Sequence, residues 1–415
     1  MREPPLGTDR GPHGLRPNLY EIDLDAISDN LATVQALVGA DVKVFAVLKG
    51  NAYGFGLLEV GAIVEVSATF GIAVGSLLEA IALRRAAVTK PILVYPNNLP
   101  EAASEYLRYD LLATVPDVAT AEAYARAADR TRRPMGVFAK VDVGLYRNGV
   151  PPGEAAALCA RISRLSGLRL DGVLSHLHMP HPERVDDPYV IWQCSRFSQA
   201  VSDIEAGGID VPIRMIAHSA MIGRYPAMHL NAVDPGKLIY GIGPPGTPGV
   251  AGDFRPALRA LRTRLIAVKT VSGGTPFDAE GPFAVRWQRR IGIVPMGWGD
   301  GFPKLGQVLV RGRRVDVLGA PSVEHARIAL DACPDAEVGD DVIVIGRQGL
   351  AMLPAVEVAG ALGIGVSELT RSIRDTVARL YYRDGKPWKI ASILGETCLA
   401  PAAGPTPETV RVSRQ

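Results

Sequence analysis

Between residues 42 and 241 the sequence carries eight short apolar runs, and no other feature narrows the possible folds as far. They are VKVFAVL (42–48), FGIAV (70–74), PILVY (91–95), LLATV (111–115), GVFAKVD (136–142), LDGVLS (170–175), PIRMIAH (212–218) and KLIYG (237–241). Continuous apolar runs of this length fit strands covered on both faces. Ala-, Leu-, Glu- and Arg-rich spacers such as TAEAYARAADRTRR lie between them and favour helix. Eight strands alternating with helices predict a (β/α)8 TIM barrel. An open doubly wound sheet is the rival, but no GxGxxG follows the first run.

The pattern changes near residue 260. LRTRLIAVKTV, RRIGIVPMG, GQVLVRGRRVDVLG and DDVIVIGRQG are rich in Val, Ile and Arg, with Gly turns between them. That is the pattern of a C-terminal β domain. The stretch GIGPPGTPGVAGDFRP (241–256) marks the boundary, and GVSELTRSIRDTVARLYY reads as a last helix. The expected organisation is a disordered tail at 1–17, a barrel at 18–255, a β-rich domain at 256–398 and a disordered tail at 399–415. A chain of 415 residues is long enough for this, and 45 Lys plus Arg against 43 Asp plus Glu give no basic footprint for nucleic acid. The four cysteines show neither metal-ligand spacing nor a disulfide framework. With no apolar run of membrane-span length and no apolar core in the first residues, a cytoplasmic protein is expected.

The most informative segment is AVLKGNAYGFG (46–56). Lys49 lies just past a strand, where barrel enzymes carry their catalytic groups. A lysine desolvated there loses its proton and attacks carbonyl carbon. A snorkelling lysine at a strand end is the plainer reading of the same residue.

AVLKGNAYGFG also resembles the pyridoxal-phosphate signature of the alanine racemases, normally AVxKANAYGHG. The resemblance runs from about residue 18 to about 390 and includes KVDVGLYRNG (140–149), LSHLH (174–178), HSA (218–220), DPGKLIYG (234–241), VPMGWGDGFP (294–303), IALDAC (328–333) and VGDDVIVIGRQG (338–349). It implies a barrel followed by a β domain, a homodimer with a shared active site, and an amino-acid substrate. By the same resemblance Lys49 bears pyridoxal 5'-phosphate as a Schiff base and works as one acid/base. Tyr53, Ser219, the backbone of Gly236 and Lys237, and Tyr381 would hold the phosphate. Arg147 would meet the cofactor's phenolic oxygen, and Lys140, in a position where the family often has a carbamylated lysine, would hold Arg147 in place. No metal is implied.

The sequence departs from that pattern at the groups that decide the reaction. The family's second base is a tyrosine of the partner subunit in a GYADG segment. Here the segment reads Gly297-Trp298-Gly299-Asp300-Gly301, and an indole donates only. Asp234 stands where the family has the arginine that meets the cofactor's ring nitrogen. A carboxylate there favours a protonated ring and a stronger electron sink. His176 matches the histidine behind that arginine and is expected to hydrogen-bond Asp234. His218 replaces an asparagine, Phe55 a histidine and Leu330 a methionine, while Asp331 is retained. The leading expectation is an amino-acid racemase or epimerase with an altered second base. The same scaffold could instead run decarboxylation, retro-aldol cleavage, elimination or one-face proton exchange, or bind the cofactor without catalysis.

Overall fold

The computed structural model describes residues 16–181, 184, 186–243, 254–271 and 289–399. These divide into two compact units. One comprises Ala26–Ala257 with Val366–Arg371. The other comprises the described residues through Asp25, Leu258–Gly365 and those from Ser372 onward.

The first unit is a closed barrel of eight parallel strands. After β1 (Leu19–Asp23), which belongs to the other unit, they are β2 (Lys43–Val47), β3 (Gly71–Val74), β4 (Ile92–Val94), β5 (Leu112–Val115), β6 (Met135–Lys140), β7 (Leu168–Leu174), β8 (Ile213–His218) and β9 (Ala232–Asp234). Pairing of Lys43 with Ala232 and Val44 with Val233 closes the ring. Phe45, Val47, Ala73, Leu93, Phe138, Leu174, Ile213, Met215 and Ala232 form a buried cluster among these strands. Phe45 meets Phe70 and Phe138 edge-on, with centroids 5.2 and 6.0 Å apart, as aromatic quadrupoles prefer. The helices follow local signals. The helix Leu77–Arg85 starts in a capping box, with the Ser76 hydroxyl accepting from Glu79 N and the Glu79 carboxylate from Ser76 N.

Seven of the eight barrel strands fall on the expected runs. The eighth does not. Lys237–Tyr240 is a 3-10 turn, and the strand is the three-residue segment Ala232–Asp234 just before it. Pro235 has no N–H to continue a ladder. The apolar side chains of Leu238, Ile239 and Tyr240 are buried from the turn, so periodicity alone could not separate a buried turn from a buried strand. This moves Asp234 to a strand end, in register with His218 on β8.

The second unit is mostly β. After β10 (Leu258–Arg264), β11 (Ala267–Val271) and β12 (Arg289–Val294) come β13 (Gln307–Val310), β14 (Arg313–Asp316), β15 (Ala326–Ala329) and β16 (Asp341–Gln348). β17 (Ala351–Leu353), β18 (Ala378–Arg383), β19 (Lys386–Ser392) and β20 (Gly395–Cys398) complete it. One sheet runs β14-β13-β16-β10-β1-β18-β19-β20 with β17 on β16, and a three-stranded sheet runs β11-β12-β15. β1 lies between β10 and β18, so residues 19–23 belong here and not to the barrel where the sequence placed them. The last helix also ends early: it spans Val366–Ser372, and Ala378–Arg383 is a strand paired to β1. That pairing buries Leu380 and Tyr381, which overrides helix propensity in a short segment. The expected tails lie almost wholly outside the described residues, apart from Arg16, Pro17 and Leu399 at their inner edges.

Asp300 is the polar anchor of this unit. Its buried carboxylate accepts from Arg16 Nη1 (2.7 Å) and Nη2 (2.9 Å), Thr376 Oγ1 (2.7 Å) and Gly297 N (3.1 Å). Removing one partner of a buried charged network leaves the others unsatisfied. Asp300→Ala is expected to lower unfolding stability by about 3 kcal/mol, the low end for such a loss because Arg16 keeps some access to water. Urea unfolding followed by circular dichroism measures it.

Candidate active site

At the C-terminal ends of the barrel strands lies a cavity of about 290 Å³. Lys49, Tyr53, Lys140, Arg147, His176, Ser219, Asp234, Gly236 and Lys237 all line it, so nine of the twelve expected site residues converge. Trp298, Asp331 and Tyr381 are carried by the other unit: Trp298 is half exposed, Asp331 is paired with Arg289 at 2.6 Å, and Tyr381 is buried on β18.

Lys49 opens an unusual turn. Gly50, Asn51, Ala52 and Tyr53 all have left-handed backbone, with φ between 53 and 67°, and Gly54 follows at 91°. For residues with a Cβ this conformation is unfavourable. It is held by Glu79, whose Oε1 accepts from Gly50 N (2.6 Å) and Asn51 N (3.1 Å). Gly54 is required twice over, because a Cβ there would also stand 2.2 Å from the Thr370 carbonyl. Arg371 packs its guanidinium against Gly50. The turn brings the Tyr53 ring beside Tyr240, which stacks on Phe55 with centroids 4.8 Å apart and donates to Val47 O at 3.1 Å.

Beside this turn, past the ends of β8 and β9, Ser219 Oγ accepts from Gly236 N (2.8 Å) and Leu238 N (3.3 Å). A Cβ on Gly236 would meet the Tyr53 hydroxyl at 2.5 Å, so glycine is needed for this close approach. Two hydroxyls and converging N–H groups beside Lys237 make a cradle suited to an anion. Arg147 sits on a loop folded around Asp142, whose carboxylate accepts from the backbone N–H of Gly144, Leu145, Tyr146 and Arg147 at 2.9–3.1 Å.

Burial sets the protonation states. Desolvation pushes the Lys49 amine below the usual lysine range, and nearby Arg147, Arg371 and Lys237 add to this against the opposing pull of Asp234. Lys140 is driven down to about 7, mainly by burial. Asp234 is raised to about 6, also by burial, opposed by the Tyr95 hydroxyl, Lys49 and Lys140. Its Oδ2 accepts from Tyr95 O–H at 2.7 Å, while Oδ1 is buried with no hydrogen-bond partner among the described residues. The expected partner, His176, instead packs against the His218 ring at 4.7 Å, since β8 places His218 alongside it. His218 Nδ1 accepts from Ala220 N (3.2 Å), which leaves the proton on Nε2, a second buried atom with no hydrogen-bond partner among the described residues.

Tyr95, Glu79, Asp142 and Arg371 were not foreseen. Tyr95 closes an apolar run and reads as strand core, Glu79 reads as an ordinary helix cap, Asp142 as a turn residue, and Arg371 is far away in sequence. Among the described residues no cluster of three or more His, Cys, Asp or Glu could hold a metal, and no helix is long and apolar enough to cross a membrane.

Comparison with known proteins decides what this geometry belongs to. Residues 22–244 match the model of the alanine racemase N-terminal domain, and residues 258–381 that of its C-terminal domain. The chain belongs to the alanine racemase family. It is 31% identical to the alanine racemase of Halothermothrix orenii over 370 residues, covering 88% of this chain and 97% of that protein. It is 32% identical to that of Desulfovibrio desulfuricans over 372 residues, covering 88% and 98%. The solved alanine racemase of Clostridium difficile 630 superimposes with a TM-score of 0.85 at 28% identity over 91% of this chain and 99% of that one. That of Bacillus anthracis with bound L-Ala-P gives 0.84 at 29% identity over 91% and 98%. Enzymes of the family use pyridoxal 5'-phosphate, and the residues present here fit it. A glycine-dependent anion cradle, a desolvated lysine and a buried carboxylate oxygen with no hydrogen-bond partner among the described residues would suit its phosphate, carbonyl carbon and ring nitrogen.

A pH dependence follows from His218, which burial, then Lys49 and Lys237, push down to about 4. Between about 4 and the ordinary value near 6.5, the unfolded chain binds a proton that the folded chain does not. This group's contribution to stability is therefore full above about 6.5 and is lost as pH falls towards 4. Relative to His218→Asn, the unaltered cofactor-free protein should lose on the order of 3 kcal/mol across that window. Urea midpoints of both proteins near neutrality and near pH 4 measure the difference.

Proposed function

We propose that this chain is a pyridoxal-phosphate-dependent enzyme acting at Cα of an amino acid, a racemase or epimerase whose second base departs from the family's tyrosine. The observation that carries this is the convergence on one cavity of Lys49, the Ser219–Gly236 cradle, Arg147 and Asp234. When bound, the cofactor supplies the electron sink that makes the substrate's Cα–H acidic. Lys49 would hold the cofactor through its carbonyl carbon and, once displaced from that carbon by the substrate's own amine, would be free as a desolvated amine to take the Cα proton on its face and return it. Tyr53, Ser219 and the N–H groups of Gly236 and Lys237 would hold the phosphate, with Tyr381 as a further hydroxyl. Arg147 would orient the phenolic oxygen and Lys140 would support Arg147. A lysine as weakly basic as Lys140 is half neutral near pH 7 and open to carbamylation, which would turn it into an anionic partner for that arginine.

On the opposite face, the resemblance calls for a homodimer in which Trp298 and Asp331 of one subunit complete the site of the other. An indole N–H cannot take a proton. Exchange at Cα would therefore run mainly on the Lys49 face. A second reading is favoured by Asp234: a carboxylate facing the ring stabilises a carbanion more deeply than a cation would, which suits decarboxylation, retro-aldol cleavage or elimination. Four cysteines without a disulfide framework accord with a cytoplasmic setting.

The purified protein should be yellow, and borohydride should discharge the colour and leave a pyridoxyl label on the Lys49 peptide. Incubation with L- and D-amino acids in deuterated water, followed by chiral and mass analysis, separates inversion, retention and carbon–carbon cleavage. A protein that stays colourless with added cofactor contradicts the proposal.

Trp298→Tyr tests the second base. General acid/base catalysis contributes typically about 10²–10⁴-fold, and the variant should racemise alanine faster by at least the lower part of that range. Fast, symmetric racemisation of alanine by the unaltered protein would show that another group already serves that face.

A further inference from the structure

Asp234, at the end of β9, and Tyr95, just past β4, meet across the cavity with β2 and β3 between their strands in the barrel. Tyr95 directly follows β4, and its backbone N–H donates to Val74 O at 3.0 Å, which fixes the residue at the barrel rim. Its hydroxyl donates to Asp234 Oδ2 at 2.7 Å, a short bond of the strong, charge-assisted kind. The face of the same ring lies 5.6 Å from Lys49 Nζ. Oδ1, the other oxygen of Asp234, is buried without a hydrogen-bond partner among the described residues, and Asp234 lines the cavity. One side chain thus touches the acid, flanks the lysine and leaves a single carboxylate oxygen open.

We propose that Tyr95 is a positioning residue that decides where the proton between Asp234 and the cofactor's ring nitrogen resides: its hydroxyl occupies Oδ2, keeps the carboxylate ionised and leaves Oδ1 to accept from the ring N–H. This rests on the cofactor reading above. The chemistry turns on a near match. Burial lifts Asp234 to about 6, into the range of a pyridine nitrogen's own basicity, so a single hydrogen bond tips the balance. With the Tyr95 bond in place the proton sits on nitrogen and the ring is a strong electron sink. Without it, the carboxylate is more basic, the proton moves to Oδ1 and the ring is neutral. The other groups acting on Asp234 are Lys49, Lys140 and Tyr53, with His218 in register on the neighbouring strand. All of these are unchanged when Tyr95 alone is altered. A hydrogen bond to a charged group is typically worth at least about one factor of ten in such a partition.

The test uses holoprotein loaded with pyridoxal 5'-phosphate carrying 15N at the ring nitrogen, read by NMR near neutral pH. The unaltered protein should show the protonated ring and Asp234→Asn the neutral one. Tyr95→Phe should reduce the ratio of ring-bound to carboxyl-bound proton about tenfold. Replacing Tyr95 by a ring-fluorinated tyrosine, a stronger donor of nearly the same shape, should move the resonance the other way, and it carries the test if Tyr95→Phe fails to fold. A merely structural tyrosine would not produce this grading. Resonances of both Tyr95 variants that coincide with the unaltered protein's overturn the role of Tyr95. An unshifted Asp234→Asn overturns the ring contact. Absence of bound cofactor, seen as no pyridoxyl label on Lys49, overturns the parent reading and this one with it, and so is told apart from the other failures.

Discussion

The site depends on one carboxylate that never touches the chemistry. Glu79 accepts from four backbone N–H groups: Gly50 and Asn51 through Oε1, Gly75 and Ser76 through Oε2. It ties the turn after β2 to the turn after β3. The first of these turns carries Asn51, Ala52 and Tyr53 in left-handed backbone, a conformation costing roughly 1–2 kcal/mol per residue. Hydrogen bonds to a charged acceptor, worth about 1.5–3 kcal/mol each, offset that cost. What the turn achieves is placement: Lys49 and Tyr53, four residues apart, both line the cavity.

Around that turn the cavity gathers more cationic than anionic groups. Lys49, Lys140, Arg147 and Lys237 line it, and Asp234 is the only carboxylate lining it among the described residues. Desolvation and mutual repulsion weaken both Lys49 and Lys140 as cations, which yields a usable amine at Lys49 without a dedicated base. An anionic ligand in the Ser219–Gly236 cradle would relieve the repulsion, so cofactor binding and electrostatic stability are coupled. The two neutral imidazoles, His176 and His218, fill the wall beside Asp234 without adding charge.

Much of this was legible before any coordinates. Lys49 declared itself through a strand-end position and a Gly/Asn-rich turn, and Arg147, Ser219 and Gly236 through segments in family order. The misread places share a cause. KLIYG and VARLYY are short apolar segments whose burial is genuine but whose periodicity does not separate turn, strand and helix. Tyr95 was hidden in the same way, as the last letter of a strand whose other letters face a core. His176 was matched to Asp234 by alignment of roles, yet two imidazoles in neighbouring strands pack on each other instead.

The order of apolar runs and spacers was enough to specify a barrel followed by a β domain, because alternation of buried strand and amphipathic helix is a property of local sequence. The choice of Lys49 as the lysine proposed to react was local too, since its turn chemistry lies within eleven residues. Which oxygen of Asp234 is free, which residue holds the other, and that β1 completes a sheet with strands more than 230 residues away were settled only by the fold. Those are facts about pairs distant in sequence, and a pair is set by the closure of the barrel and the order of strands in a sheet, neither of which any single segment encodes.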